Sequence, residues 1–233
     1  SYELMTKRNI LILLAVVVGI TLYKGLGYGA AESDTEWIYS LFAGHGTGYF
    51  QVFPFLEMLI TSGVPLYLLA AFVEHTINGQ SIFISVRAKS LRHLVKGILS
   101  VSTNFLIIYA FFWLMAGLIG ASLFSTGLTI VSFRFLLYAV LMKCLDILAQ
   151  YLIMLGIYIA TRQVTIGFLV LVAGNLLCVL PGNWVAYSPF GLSSLTRISV
   201  VEPGIGISAV SAFGIEAAIL TLMIAGILMC GYK

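Results

Sequence analysis

Six apolar runs, separated by polar or Gly/Pro-containing segments, occupy most of the chain: 9–28, 53–72, 98–123, 133–159, 164–180 and 207–230. Most of them approach or exceed the roughly 20 residues that an α-helix needs to cross a hydrocarbon core of about 30 Å. The pattern predicts an all-α membrane protein with six transmembrane helices in a single transmembrane domain over 1–233. The apolar region after Gly127 is longer than one straight crossing, so 128–132 reads as a lead-in to the fourth span. Between the first two runs, 32–49 begins acidic and turns Gly-rich and aromatic. Trp37, Tyr39, Phe42, Tyr49 and Phe50 suit a short helix at the membrane–water interface.

Two intervals do not fit the simple alternation of span and loop. Residues 181–203 are too apolar for an ordinary solvated loop and too broken by Pro181, Pro189 and Pro203 for a continuous span. Irregular backbone at membrane depth must be buried in protein or line a cavity. Two half-helices dipping into the outer leaflet satisfy that requirement, with Trp184, Tyr187 and Phe190 shaping an outer gate; interfacial anchoring is the plainer alternative. The second interval, 74–96, carries Arg87, Lys89, Arg92 and Lys96, four of the twelve lysines and arginines, against the single carboxylate Glu74. Its apolar residues (Ile82, Phe83, Leu91, Leu94, Val95) recur at helical spacing, which predicts a short amphipathic element rather than a tether.

Composition strengthens the membrane reading. Hydrophobic residues make up 61% of the chain and charged residues 9%, against roughly 25% charged in soluble domains. The distribution of charge orients the helices. With the N-terminus inside, the inner segments hold Lys7, Arg8, Arg87, Lys89, Arg92, Lys96, Arg162 and Lys233, and the outer ones hold Lys24 and Arg197, with Arg134 near the boundary. That asymmetry obeys the positive-inside rule and puts both termini of a multi-pass protein in the cytoplasm. The start of the chain also has the basic region, apolar core and small residues of a signal peptide, but its removal would leave five spans and reverse the charge logic. Nucleic acid is no expected partner, because no soluble domain presents the basic residues.

Motif chemistry is sparse. No phosphate-binding Gly-rich loop, H-E-x-x-H or G-x-S-x-G occurs. Cys144, Cys178 and Cys230 lie apart within apolar runs and read as small buried hydrophobes. The one GxxxG, Gly25 to Gly29, carries little weight alone. What stands out are charges at hydrocarbon depth, where each costs about 2.5–3.5 kcal/mol on insertion scales. These are Glu57, Lys143, Asp146 and Glu216. Lys143 and Asp146, spaced i, i+3, share a helical face and can neutralise one another. Glu57 and Glu216 line a polar cavity or pair with Lys143 or Arg134. The reading is not an enzyme, with no metal site and no cofactor bound by this chain.

The order of elements resembles the permease subunits of the ABC-2 family of ABC transporters. Their pattern is an acidic residue ending span two, a Gly, a short helical run, a basic patch, and a Lys opening span three. Glu74, Gly79, the run 80–86, Arg87/Lys89/Arg92 and Lys96 match it, while Ala88 stands where Pro or a second Gly is often found. The resemblance covers the whole layout and implies a cytoplasmic coupling helix, a re-entrant hairpin before span six, and a second permease, identical or related. It also implies a separate ABC ATPase that binds ATP and Mg. Ile82 and Phe83 would dock into that ATPase, with the basic residues contacting its acidic rim or anionic lipid. The size resembles small peptide-exporter and lantibiotic-immunity permeases. The expected function is export of an amphipathic substrate, a peptide before a drug or lipid. A non-transporting membrane structural or sensor subunit is the reading from a different class.

Overall fold

The computed structural model describes residues 4–27, 31, 33–46, 50–79, 91–125, 129–178, 180, 185, 187–199 and 206–230. Within them the protein is predominantly helical, with no strand among the described residues and one isolated backbone bridge, Ile198 to Ile207. The elements are α1 (Lys7–Gly27), α2 (Asp34–Phe42), α3 (Val52–Glu74) with a π-helical extension His75–Gly79, and α4 (Leu91–Phe124). They continue with α5 (Ile130–Thr161), α6 (Val164–Leu177), a 3-10 turn Leu195–Arg197, and α7 (Ala209–Cys230).

Five of these helices, α1, α3, α4, α5 and α7, are long and apolar enough to cross a membrane. The fifth apolar run behaves differently. Its helix, α6, has 14 residues and so spans about 21 Å at 1.5 Å per residue, short of a straight crossing. Most other boundaries move outward from the sequence expectation, although α1 ends at Gly27 and α7 starts only at Ala209. The spacing of Leu91, Leu94, Val95 and Ile98 continues the periodicity of the third span, so α4 starts at Leu91 and takes in Arg92 and Lys96. At 32 residues, α5 is one helix of about 48 Å, with residues 130–132 of the lead-in in its first turn.

The connections set the layout. Short links make α4, α5 and α6 antiparallel neighbours, and α5 becomes the central helix, packed against α2, α3, α4, α6 and α7. Of its most apolar stretch 56% is buried, against 17% for α7. Val210, Leu222 and Met229 on α7 are more than two-thirds exposed, the surface expected of a helix whose solvent is lipid.

The short helix α2 packs against α4 and α5. Ser33 caps it, accepting from the Glu36 N–H at 3.1 Å, and its apolar face turns inward. Trp37 and Ile38 are 1% and 0% exposed. Trp37 lies against Gly120 of α4, where a side chain would collide with the indole, and its ring sits 5.2 Å from that of Phe124. Asp34 ties α2 to α5 by accepting from the Thr129 N–H at 2.7 Å. Thr129 is the N-cap of α5, so one junction closes two helix ends. The Ser132 hydroxyl and then the Thr129 N–H hold the Asp34 carboxyl down at about 2.

Candidate functional site

The site begins with a proline. Pro65, inside α3, has no N–H to give to the carbonyl of Thr61 four residues earlier. The hydroxyl of Tyr109 on α4 supplies the missing bond, donating to Thr61 O at 2.6 Å. The same turn of α3 presents the hydroxyls of Thr61 and Ser62 to α5, and Lys143 Nζ donates to both at 3.0 Å. A lysine in the middle of an apolar helix is thus met by the turn that Pro65 opens.

Lys143 and Asp146 share a face of α5, yet each has its own partners. The Asp146 side chain is fully buried. Gln150 Nε2 donates to its Oδ1 at 2.7 Å, and the Ser193 hydroxyl and N–H both point to its Oδ2. Asn175 of α6 extends the line, donating to Gln150 Oε1 at 3.1 Å and to Leu171 O at 2.8 Å. A continuous hydrogen-bonded chain therefore runs Asn175–Gln150–Asp146–Ser193. Lys143 stands between the charges of Asp146 and Glu57. The ion pair that does form is Lys24 with Glu57, 2.7 Å apart and with both side chains mostly buried. Lys24 therefore turns into the bundle instead of snorkelling to the interface.

A cavity of about 20 Å³ lies among Glu57, Thr61, Trp113, Lys143, Ser193 and neighbours, room for about one water molecule. A second, of about 10 Å³, touches the other end of the chain at Ser62, Gln150 and Asn175. Both are too small for an organic cargo. No group of three or more His, Cys, Asp or Glu side chains converges as a metal site among the described residues.

The irregular segment before α7 supplies Ser193, and its burial is the reason it can. Residues 191–195 and 197–198 are buried, in line with the requirement that broken backbone at depth be enclosed by protein. The described part contains single turns and not two half-helices. Pro189 and Gly191, the latter at φ +74°, break any longer run. Thr196 bonds Ala43 O through its N–H and its hydroxyl. Arg197, 3% exposed, donates to Phe190 O at 2.8 Å and to His45 O at 3.4 Å. His45 is itself buried, its N–H bonded to the Ser194 hydroxyl. Burial, and secondarily the Arg197 charge, push its imidazole below the usual histidine range, with Gly46 O opposing.

The remaining predicted residues fall in three groups. Glu216 is fully buried in α7, and neither carboxyl oxygen has a hydrogen-bond partner among the described residues. Tyr187 is 59% exposed, whereas Phe190 is wedged against Gly174 of α6, so these two do not converge on one opening; Trp184 lies outside the described residues. Of the basic interval, Glu74 is exposed at the end of α3, Gly79 closes the π-helical turn, and Lys96 is exposed on α4. Arg92 belongs to the backbone of α4, and Ile82, Phe83, Arg87 and Lys89 lie outside the described residues. Sequence reasoning missed Thr61, Ser62, Gln150, Asn175 and Ser193 as partners. The signal available was a set of polar residues inside apolar runs, with Gln150 one turn after Asp146.

No protein-family model, curated protein or solved structure matches this chain.

Proposed function

We propose that this chain is the membrane-spanning permease subunit of an ATP-driven exporter of the ABC-2 type, in a bacterial inner membrane with both termini cytoplasmic. In this reading α6 and the buried segment after it together make the fifth crossing and its re-entrant return. ATP and Mg belong to a partner ATPase, and a second permease completes the unit. The observation that carries the reading is the order Glu74, Gly79, basic interval, Lys96, set between two long apolar helices. Lys7, Arg8 and Arg162 lie at the helix ends on the same side of the chain's alternation, as a cytoplasmic face requires. The two cavities beside the polar chain hold no more than water, so an amphipathic cargo, first a peptide and next a drug or lipid, would travel between two permeases.

The test is co-purification from membranes followed by reconstitution. A Walker-motif ATPase should accompany the chain, and Ile82→Asp with Phe83→Asp should abolish ATP-driven transport without preventing insertion. Absence of any such ATPase sinks the exporter reading; unaltered transport in the double variant sinks the contact at Ile82 and Phe83. A non-transporting structural or sensor subunit is the second reading, favoured by the closed interior around Asp146, whose carboxyl is held by Gln150 and Ser193.

A further inference from the structure

Glu216 is 0% exposed, and among the described residues neither of its carboxyl oxygens has a hydrogen-bond partner. Its surroundings follow from the register of the α5–α7 seam. Tyr138 donates to Ala209 O at 3.4 Å, and one turn further Met142 packs with Ala212. The next turn of each helix brings Asp146 opposite Glu216, and Asp146 is the charged group that acts on it. The other charges nearby are engaged elsewhere: Lys143 with Thr61 and Ser62, and Arg197 with the carbonyls of Phe190 and His45. Arg134 is exposed, toward the start of α5. A bare carboxylate here would have, among the described residues, no donor and no counter-ion, and a second carboxylate in front of it. Each of those conditions disfavours the anion.

We infer that Glu216 is a proton-binding site: it carries an exchangeable proton in this conformation, and the closeness of α7 to Asp146 controls its release. The neutral acid removes the charge repulsion across the seam, where the Asp146 carboxyl already accepts from Gln150 and Ser193. Release is a simple dissociation, Glu216 carboxyl to carboxylate with the proton passing to water, and no other bond changes. Because α7 is the least buried span, its displacement from α5 would admit water to Glu216 and discharge it. The inference rests on the seam alone and holds with or without an ATPase partner.

Infrared spectroscopy of the full chain in lipid vesicles tests it. At neutral pH the wild type should show the C=O stretch of a protonated carboxyl, shifting in heavy water and absent in Glu216→Gln. In Asp146→Asn the Glu216 band should disappear at a pH lower by about one unit or more. A band that is missing, survives in Glu216→Gln, or fails to shift in heavy water overturns the site. An unmoved pH in Asp146→Asn overturns the control by Asp146. Because the wild-type spectrum is itself a readout, the site is testable even if a variant folds poorly.

Discussion

The two faces of α5 treat buried polarity in opposite ways. Toward α3 and the segment before α7, the buried charged groups have partners: Lys143 has two hydroxyls, Asp146 has Gln150 and Ser193, and Glu57 has Lys24. Toward α7 the seam packs Met142 with Ala212 and bonds Tyr138 to Ala209 O, and there Glu216 has no hydrogen-bond partner among the described residues. The first face is expensive to disturb, because removing one member strands the others. The second already bears the cost of an unsatisfied group, so the same kind of change there relieves it. Comparable side chains at comparable depth thus differ in what they do for stability, through the company they keep.

Breaking the ion pair should have the largest effect. Lys24→Ala leaves Glu57 buried without its counter-ion and should cost about 3–5 kcal/mol, read as a lowered thermal midpoint in detergent. Lys24→Met combined with Glu57→Gln should recover most of that loss. An unchanged midpoint in Lys24→Ala would show the pair to be dispensable. The next contrast sets the two faces against each other. Ser193→Ala strips the short bond from Asp146 and should cost about 1–3 kcal/mol. Glu216→Leu removes an unbonded carboxyl and should instead raise stability, by about 1 kcal/mol. Destabilisation by both variants would erase the distinction.

The last contrast lies outside the spans, at the α2–α5 junction. The folded Asp34 carboxyl, at about 2, lies below its ordinary 3.8. A lowered acid gives stability that is complete above its unfolded value and is lost as pH falls through its folded value. The thermal midpoint of the wild type should therefore decline between about pH 4 and pH 2. Asp34→Asn should flatten that part of the profile; an equal decline in the variant would assign the acid sensitivity to other groups.

Much of the architecture was legible in the sequence because lipid imposes a simple rule: every backbone group must be bonded within a helix, and its side chains must be apolar. The long helices follow the apolar runs, and α2 follows its polar start and aromatic content. The exception is informative. The run 164–180 contains nothing that marks its helix as short; α6 ends at Leu177 because the chain then turns into the buried segment that feeds Asp146. Partnerships were less legible. The i, i+3 spacing of Lys143 and Asp146 suggested a local pair, but tertiary packing offered each a better partner, more than 45 residues away in sequence. Lys24 and Glu57 find one another only because α1 and α3 pack together. That Thr61 could serve both Tyr109 and Lys143 depends on Pro65, whose effect on a neighbouring carbonyl was readable, though not which helix would answer it.

The segment 188–199 has one further consequence. At Ser193 it is fastened to the middle of α5, and at Thr196 and Arg197 to the stretch that follows α2. A connection anchored at both depths behaves as a strut between two helices and not as slack between two spans. Its length is therefore set by the distance it must bridge. Inserting or deleting even one residue there would force a choice between the mid-span anchor and the one beside α2, whereas the exposed turn at Arg162 has no such double attachment to lose.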